Sequence, residues 1–124
     1  MKSAKDYLEE ANRDVTRIPA ADAVPKHGDV NVQFIDVRDS KAIGETGTIA
    51  GALRIPRGMI EFAADDDSPL RDKTLDRNAD LYLVCGAGGQ AALAGKTLKE
   101  MGYPSVTNIG GIGDWKDAGG PMEH

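Results

Sequence analysis

The feature that most constrains this 124-residue chain is a short apolar run ending in its only cysteine, followed by a glycine-rich turn and a helix-forming stretch. Residues 82–98 read YLVCGAGGQAALAGKTL. A strand that passes through a tight turn directly into a helix is the building unit of α/β sheets. The composition, 40% hydrophobic and 28% charged, is typical of one globular domain with a single core.

Further helices and strands alternate along the chain. The hydrophobic periodicity predicts helices over residues 3–15, 20–25, 90–101 and 112–118, with single helical turns at 40–45 and 59–63. Strands are predicted over residues 30–37, 51–56, 81–84 and 105–109. Ser3 and Asp6 indicate an N-cap for the first helix, whereas Gly44 and Gly47 are expected to break the turn at 40–45. This order predicts an α/β domain with an at least partly parallel sheet and right-handed crossovers.

Charge and composition argue against several classes of partner. The net charge is −5 and no Lys/Arg cluster is present, so a role in binding duplex nucleic acid is not expected. No apolar run approaches the length that crosses a bilayer, and residues 1–15 lack an apolar leader segment. A single cysteine cannot form an internal disulfide. These features predict a cytoplasmic protein that binds neither nucleic acid nor membrane.

The position of Cys85 favours chemistry at the thiol. Ligands of open parallel sheets bind at the carboxyl ends of the strands, where Cys85 is predicted to lie. Glycines let backbone amides converge there, with a helix N-terminus behind them, and this stabilises a thiolate. Two other interpretations stay open at this point: a small buried structural cysteine, or a loop that cradles a nucleotide phosphate. The loop lacks the P-loop ending and matches only part of Gly-x-Gly-x-x-Gly, since Ala91 takes the third glycine position.

Four segments resemble the rhodanese family of sulfurtransferases in order and spacing. They are IDVRD (35–39), GTIAGALRIP (47–56), LVCGAGGQAALAGKTLKEMGY (83–103) and VTNIGGIGDWKDAGGP (106–121). In the second segment Thr48 stands where the family has histidine. The resemblance implies a single α/β domain over residues 16–124, with a central five-stranded, mostly parallel sheet flanked by helices. Residues 1–15 are then an N-terminal helix extension.

The resemblance also implies a reaction. Cys85 would take sulfane sulfur from a small donor (thiosulfate or a persulfide) as a persulfide, and pass it to a thiol or a cyanide-like acceptor. It implies no metal and no organic cofactor, and we expect a monomer or a weak homodimer. The backbone amides implied to bind the sulfur are those of Gly86, Ala87, Gly88, Gly89, Gln90 and Ala91. This chemistry requires that a donor can reach the sulfur of Cys85, and it is expected to fail if that sulfur is buried.

The loop departs from the family pattern, usually Cys-x-x-Gly-x-Arg, at two positions. Gln90 replaces the arginine that would hold an oxyanion, so weak activity toward thiosulfate is expected. Ala87 removes a hydroxyl that the family often has. Phosphatases of this fold have one more residue between cysteine and arginine and usually a histidine before the cysteine. Here Val84 precedes the cysteine, so phosphatase activity is not expected. A non-catalytic rhodanese-like binding or regulatory module remains the alternative.

Four residues outside the loop have predicted roles. Arg57 is a candidate for a positive rim of the pocket, although an ordinary surface arginine is an equal alternative. Asp36 and Arg38 are expected to form a salt bridge that orders adjacent loops. Trp115 is expected in the core or in the pocket wall. The acidic run DDDS at 65–68 is predicted to be a solvated loop and no metal site.

Overall fold

The computed structural model describes residues 1–124 and contains six α-helices and seven strands. The helices are α1 (Ala4–Asp14), α2 (Ala20–Ala23), α3 (Ser40–Thr46), α4 (Ile60–Ala64), α5 (Gly89–Glu100) and α6 (Ile112–Asp117). The strands are β1 (Thr16–Arg17), β2 (Val32–Asp36), β3 (Thr48–Ile49), β4 (Leu53–Arg54), β5 (Asp80–Cys85), β6 (Val106–Gly111) and β7 (Met122–Glu123). Short 3₁₀ turns cover Val24–Lys26 and Arg57–Met59.

Five strands form one sheet in the order β1-β6-β5-β2-β4, and every neighbouring pair is parallel. This confirms the expected α/β class and the five-stranded sheet. Because all strands run the same way, their carboxyl ends meet at one edge of the sheet, and Cys85 is the last residue of the central strand β5. A second, two-stranded antiparallel sheet pairs β3 with β7. The sequence pattern did not predict it, since two-residue strands are too short to show a period.

Alternate residues of the central strands face two separate cores on either side of the sheet. Phe34 lies in the core that contains Trp115, whereas the next residue, Ile35, lies in the core that contains Leu98 of α5. Leu83 and Val84 divide between the same two cores. Burying each such side chain contributes about 1.5–3 kcal/mol, so both faces of β2 and β5 stabilise the fold. This explains why these strands read as nearly continuous apolar runs.

Several boundaries differ from the predicted ones. Helix α3 continues through Gly44 and ends at Gly47, which has a φ of +78° that favours glycine. Asp39 caps this helix by accepting a hydrogen bond from the Ala42 amide, and the helix therefore tolerates one internal glycine. The helix predicted at 20–25 ends as an α-helix at Ala23, and a 3₁₀ turn with Pro25 at an early position continues it to Lys26.

The N-terminal helix α1 packs against α5. It begins at the predicted N-cap Ser3, which forms a capping box with Asp6. Gly95 permits the close approach: a Cβ there would lie 3.1 Å from a methyl of Val15 and 3.2 Å from one of Val106. Leu8 reaches the start of α5, where a Cβ on Gly89 would lie 3.5 Å from its Cδ2. Neither α1 nor any other helix has the length and apolar character needed to cross a membrane.

Candidate active site

Cys85 lies where β5 enters the turn that leads to α5. Gly88, the residue before the helix, has a φ of +103°, which an L side chain rarely adopts. This turn aims two backbone amides at the sulfur: Gly88 N–H donates to Cys85 Sγ at 3.0 Å, and Ala91 N–H donates at 3.4 Å. The other four amides of residues 86–91 make no hydrogen bond to the sulfur. The groups that contact the sulfur are therefore two backbone amides at the start of α5.

The sulfur is enclosed. Cys85 is 1% exposed and packs with the core on the α5 side of the sheet, while Gly86 and Ala87 of the loop face solvent. The requirement that a donor can reach the sulfur is therefore not met in this conformation. Gln90 is exposed on the first turn of α5, at the position where the family pattern has arginine.

Asn108 of β6 holds the loop to the sheet, a role that the sequence interpretation missed. Its Nδ2 donates to the Gly88 carbonyl at 2.8 Å, and its Oδ1 accepts from the Gly110 amide at 2.8 Å. The side chain is 1% exposed, so both bonds are made away from water. An asparagine inside the apolar strand segment VTNIGG was the available signal, because a buried amide requires partners.

The glycine pair at the end of β6 makes room for the loop. A Cβ on Gly111 would collide with the carbonyl oxygen of Gly86. Cys85 pairs with Gly111 after a register shift in the β5–β6 ladder that begins at Leu83. The backbone of the loop thus lies directly on the backbone of β6, and only glycine fits beneath it.

Arg17 of β1 contacts the loop, although the two lie 70 residues apart in the sequence. Its Nη2 donates to the Ala87 carbonyl at 3.2 Å. Its guanidinium also covers Gly88, where a Cβ would lie 2.5 Å from Nη1. No role was predicted for this residue, because β1 is too short to be recognised from its sequence and its pairing with β6 is long-range.

Asp36 and Arg38 form a buried ion pair at the end of β2. Arg38 Nη2 lies 2.8 Å from Asp36 Oδ2, and the side chains are 7% and 0% exposed. The Thr48 hydroxyl donates to the same carboxylate oxygen at 2.7 Å. The guanidinium further donates to the Thr46 hydroxyl and to the Gly47 carbonyl. Through these bonds the pair fixes the end of α3 and the start of β3, and Thr48 supports it at the family's histidine position.

The two remaining candidate residues form no hydrogen bond to the cysteine loop. The Arg57 guanidinium is bound by Glu61 at 3.0 Å and by the Thr97 hydroxyl at 3.1 Å. Thr97 lies eight residues into α5, about 12 Å along the helix from the loop. Trp115 is fully buried, and its indole N–H donates to the Pro121 carbonyl at 3.0 Å. The role of Arg57 as a rim of the site stays a prediction.

The three aspartates of the acidic run at 65–68 are exposed, as predicted, and one of them, Asp66, is bound by two arginines. Hydrogen bonds from Arg71 and then from Arg77 lower the pKa of Asp66, and both guanidinium groups lie within 3.2 Å of its carboxylate. The described chain contains no cluster of three or more His, Cys, Asp or Glu side chains suited to a metal ion.

Comparison with known proteins assigns this chain to a family. A family model described as the rhodanese-like domain matches residues 20–118, which include the cysteine loop and all but one strand of the main sheet. The chain belongs to the rhodanese-like domain family. Among its curated relatives, the putative sulfur carrier protein YrkF of Bacillus subtilis (strain 168) is 30% identical over 88 residues. That match covers 70% of this chain but only 43% of YrkF, so the relative is more than twice as long as the shared part.

Two solved structures of this rhodanese-like fold are similar over nearly the whole chain. One is RPA3614 of Rhodopseudomonas palustris CGA009, described as a protein of unknown function and possible tyrosine phosphatase. It is 36% identical with a TM-score of 0.92, covering 99% of this chain and 96% of that one. The other is the polysulfide-sulfur transferase homodimer of Wolinella succinogenes, 28% identical with a TM-score of 0.71, covering 96% and 85%.

Proposed function

We propose that this rhodanese-like domain is a sulfurtransferase that carries sulfane sulfur on Cys85. The observation that supports this most is the pair of amides, Gly88 N–H and Ala91 N–H, donating to the sulfur of the only cysteine. Hydrogen bonds from amides stabilise a sulfur anion relative to the neutral thiol. The names of the relatives, a sulfur carrier and a polysulfide-sulfur transferase, support the same chemistry.

The proposed reaction has two steps. The Cys85 thiolate attacks the outer sulfur of the donor; a new S–S bond forms, and the bond inside the donor breaks with its electron pair leaving on sulfite or on a thiolate. The product is a Cys85 persulfide anion, whose terminal sulfur occupies the space beside the loop amides. A thiolate or cyanide acceptor then attacks that sulfur, the Cys85 thiolate leaves, and the enzyme is restored. Charge is conserved in each step, and no external oxidant or reductant is needed.

The burial of Cys85 adds an opening step to this scheme. Residues 86–89 must move outward before a donor can align with Sγ. The loop has room to move on its outer side, since a Cβ on Gly86 would meet nothing within 4 Å. The bonds that oppose the movement are the Asn108–Gly88 and Arg17–Ala87 hydrogen bonds. Loop opening is therefore part of the barrier to sulfur transfer.

The exposed Gln90 sets the donor preference in this proposal. A glutamine amide cannot provide the charged fork that an arginine offers to an oxyanion. A missing charge-assisted hydrogen bond weakens binding by about 1.5–3 kcal/mol, or roughly ten- to a hundredfold. We therefore expect Gln90→Arg to raise activity toward thiosulfate by about this factor, while activity with a persulfide donor changes little. An unchanged thiosulfate rate would remove this explanation.

The neighbour described as a possible tyrosine phosphatase makes phosphoryl transfer the second candidate. Against it, no arginine is present in residues 86–91 to bind a phosphate group, and Val84 precedes the cysteine. A binding module without catalysis is the third candidate. Two assays on wild type and Cys85→Ser distinguish them: sulfite release from thiosulfate with cyanide as acceptor, and hydrolysis of p-nitrophenyl phosphate. Sulfur transfer predicts Cys85-dependent turnover only in the first, phosphatase only in the second, and a binding module in neither.

A further inference from the structure

Arg17 brings to the cysteine loop a positive charge that forms no ion pair. It is the last residue of β1, next to β6, and its side chain is exposed. None of the ion pairs in the structure includes it. The guanidinium carries five N–H donors, and the hydrogen bond to the Ala87 carbonyl uses one of them. The remaining donors are free to bind an anion.

The guanidinium lies close to the sulfur as well as to the loop. It covers Gly88, whose own amide donates to Sγ at 3.0 Å, and a Cβ on Gly88 would lie 2.5–2.7 Å from its Nη1, Cζ and Nη2 atoms. Adding standard bond lengths along this path places Nη1 no more than about 8.5 Å from Sγ. This is shorter than the Debye length of about 10 Å at 0.1 M salt, so the charge acts on the site without full screening.

A small cavity lies beside this guanidinium. Its volume is about 260 Å³, and Arg17, Ile18, Gly110 and Asp114 are among the residues that line it. Gly110 is needed here, because its φ is +84° and a Cβ would lie 3.2 Å from Arg17 Nη2. Asp114 is the one acidic residue of the lining, and it forms no ion pair with Arg17. The cavity therefore combines an unpaired cation with a nearby carboxylate that opposes anion binding.

We propose that Arg17 is a specificity-determining residue that recognises the anionic group of the sulfur donor at this loop. It supplies from β1 part of the positive charge that Gln90 does not supply from α5, so thiosulfate still binds, although more weakly than it would with an arginine at position 90. The class of ligand is a small oxyanion, such as the sulfonate end of thiosulfate or the sulfite product. This inference rests on the proposed function, and it states which chemical group of the donor lies on the β1 side of the loop.

Thiosulfate binding to Cys85→Ser tests the proposal without requiring turnover, because that variant forms no persulfide. Thiosulfate is titrated while the backbone amide resonances of residues 86–91 are followed by NMR. Adding Arg17→Gln should weaken binding roughly tenfold or more, the effect of losing a charge-assisted contact. Adding Asp114→Asn should strengthen it severalfold. Arg13→Gln, which removes an exposed charge on α1, is the matched control and should change binding less than twofold.

The outcomes distinguish failure of the Arg17 proposal from failure of the sulfur-transfer proposal. If thiosulfate does not bind, or if Arg17→Gln binds as tightly as its parent, the Arg17 proposal is overturned even where wild type forms a persulfide. If binding depends on Arg17 but Cys85 accepts no sulfur, the anion site stands and sulfur transfer fails. If Arg17→Gln changes the loop resonances in the absence of thiosulfate, Arg17→Lys provides the test. This variant keeps the charge and should retain most of the thiosulfate affinity. A loss of affinity equal to that of Arg17→Gln would contradict the proposal.

Discussion

Asn108 and Gly88 are joined by a hydrogen bond of 2.8 Å that fixes the cysteine loop to the neighbouring strand. The same asparagine accepts from the Gly110 amide, so one side chain bonds both the loop and the end of β6. Because Gly88 also donates to the sulfur, Asn108 positions a donor of the site without contacting the sulfur itself.

Replacing Asn108 by alanine should therefore destabilise the fold and loosen the loop. The Gly110 amide loses this buried partner, whereas the Gly88 carbonyl still accepts from the Ala92 amide at 3.0 Å, so we expect the free energy of unfolding to fall by about 1–3 kcal/mol. Urea denaturation measures the change. The control is Asn78→Ala, an exposed position where a change below about 0.5 kcal/mol is expected. Equal losses at both positions would show that Asn108 does not hold the loop.

A methyl group at position 111 should displace the loop from the sheet. Gly111→Ala places its Cβ against the Gly86 carbonyl, so we expect a loss of about 1–3 kcal/mol in stability and at least roughly a tenfold slower sulfur transfer. Gly113→Ala is the matched control two residues later, in α6, where a Cβ meets nothing within 4 Å. It should be neutral or slightly stabilising. A Gly111→Ala protein with wild-type kinetics would be incompatible with the described contact.

Breaking the buried Asp36–Arg38 pair should cost far more than breaking an exposed one. Arg38→Met leaves the Asp36 carboxylate buried without its cation, and we expect about 3–5 kcal/mol of destabilisation in urea or thermal unfolding. Arg54→Met removes an exposed partner of Glu123 and should cost below about 1 kcal/mol. If the two substitutions have similar effects, the pair does not order α3 and β3 as inferred.

The buried phenol of Tyr103 should make stability fall in alkaline solution. Burial raises the pKa of Tyr103 above its ordinary value of 10.0, and its hydroxyl donates to the Ala64 carbonyl at 2.8 Å. As pH rises past that ordinary value, the unfolded chain releases this proton while the folded protein retains it. The unfolded state then binds fewer protons, so the free energy of unfolding decreases with pH, whereas at pH values well below 10.0 this group adds no pH dependence.

The measurement is urea unfolding between about pH 8 and about pH 11. Tyr103→Phe should lose about 1 kcal/mol at neutral pH, from the missing hydrogen bond, and should show a shallower alkaline decline than wild type. Tyr7→Phe, at a side chain that is half exposed, should leave the decline unchanged. Identical slopes in wild type and Tyr103→Phe would contradict the assignment.

The sequence predicted the parts of the fold that depend on local pattern. The runs at 30–37 and 81–84 are buried strands, and the periodic stretch at 90–101 is a helix. Burial on both faces of a strand gives a continuous apolar run, and burial of one helix stripe gives a helical apolar period, so both are visible in the sequence. The two-residue strands β1, β3 and β7 are too short to give such a pattern. They exist through long-range pairing, as with Thr16 opposite Thr107, and single-sequence reasoning has no access to that pairing.

The sequence likewise predicted only part of the candidate site. The position of Cys85 at a strand end follows from the strand–glycine–helix order. The resemblance implied six amide donors, and two of them donate to the sulfur. The contributions of Arg17 and Asn108 do not, since both come from other strands and contact the loop through the topology of the sheet. The burial of the sulfur agrees with the alternative of a small buried cysteine, which the sequence left open, because burial depends on how tightly the loop packs on Gly111.

The measurement that tests the central claim most directly is the intact mass of the protein after brief exposure to thiosulfate and, separately, to polysulfide. The account predicts that wild type gains one sulfur atom, that the gain is removed by a thiol or by cyanide, and that Cys85→Ser gains nothing. A wild-type protein whose mass is unchanged by both donors, or a gain that persists in Cys85→Ser, would contradict it.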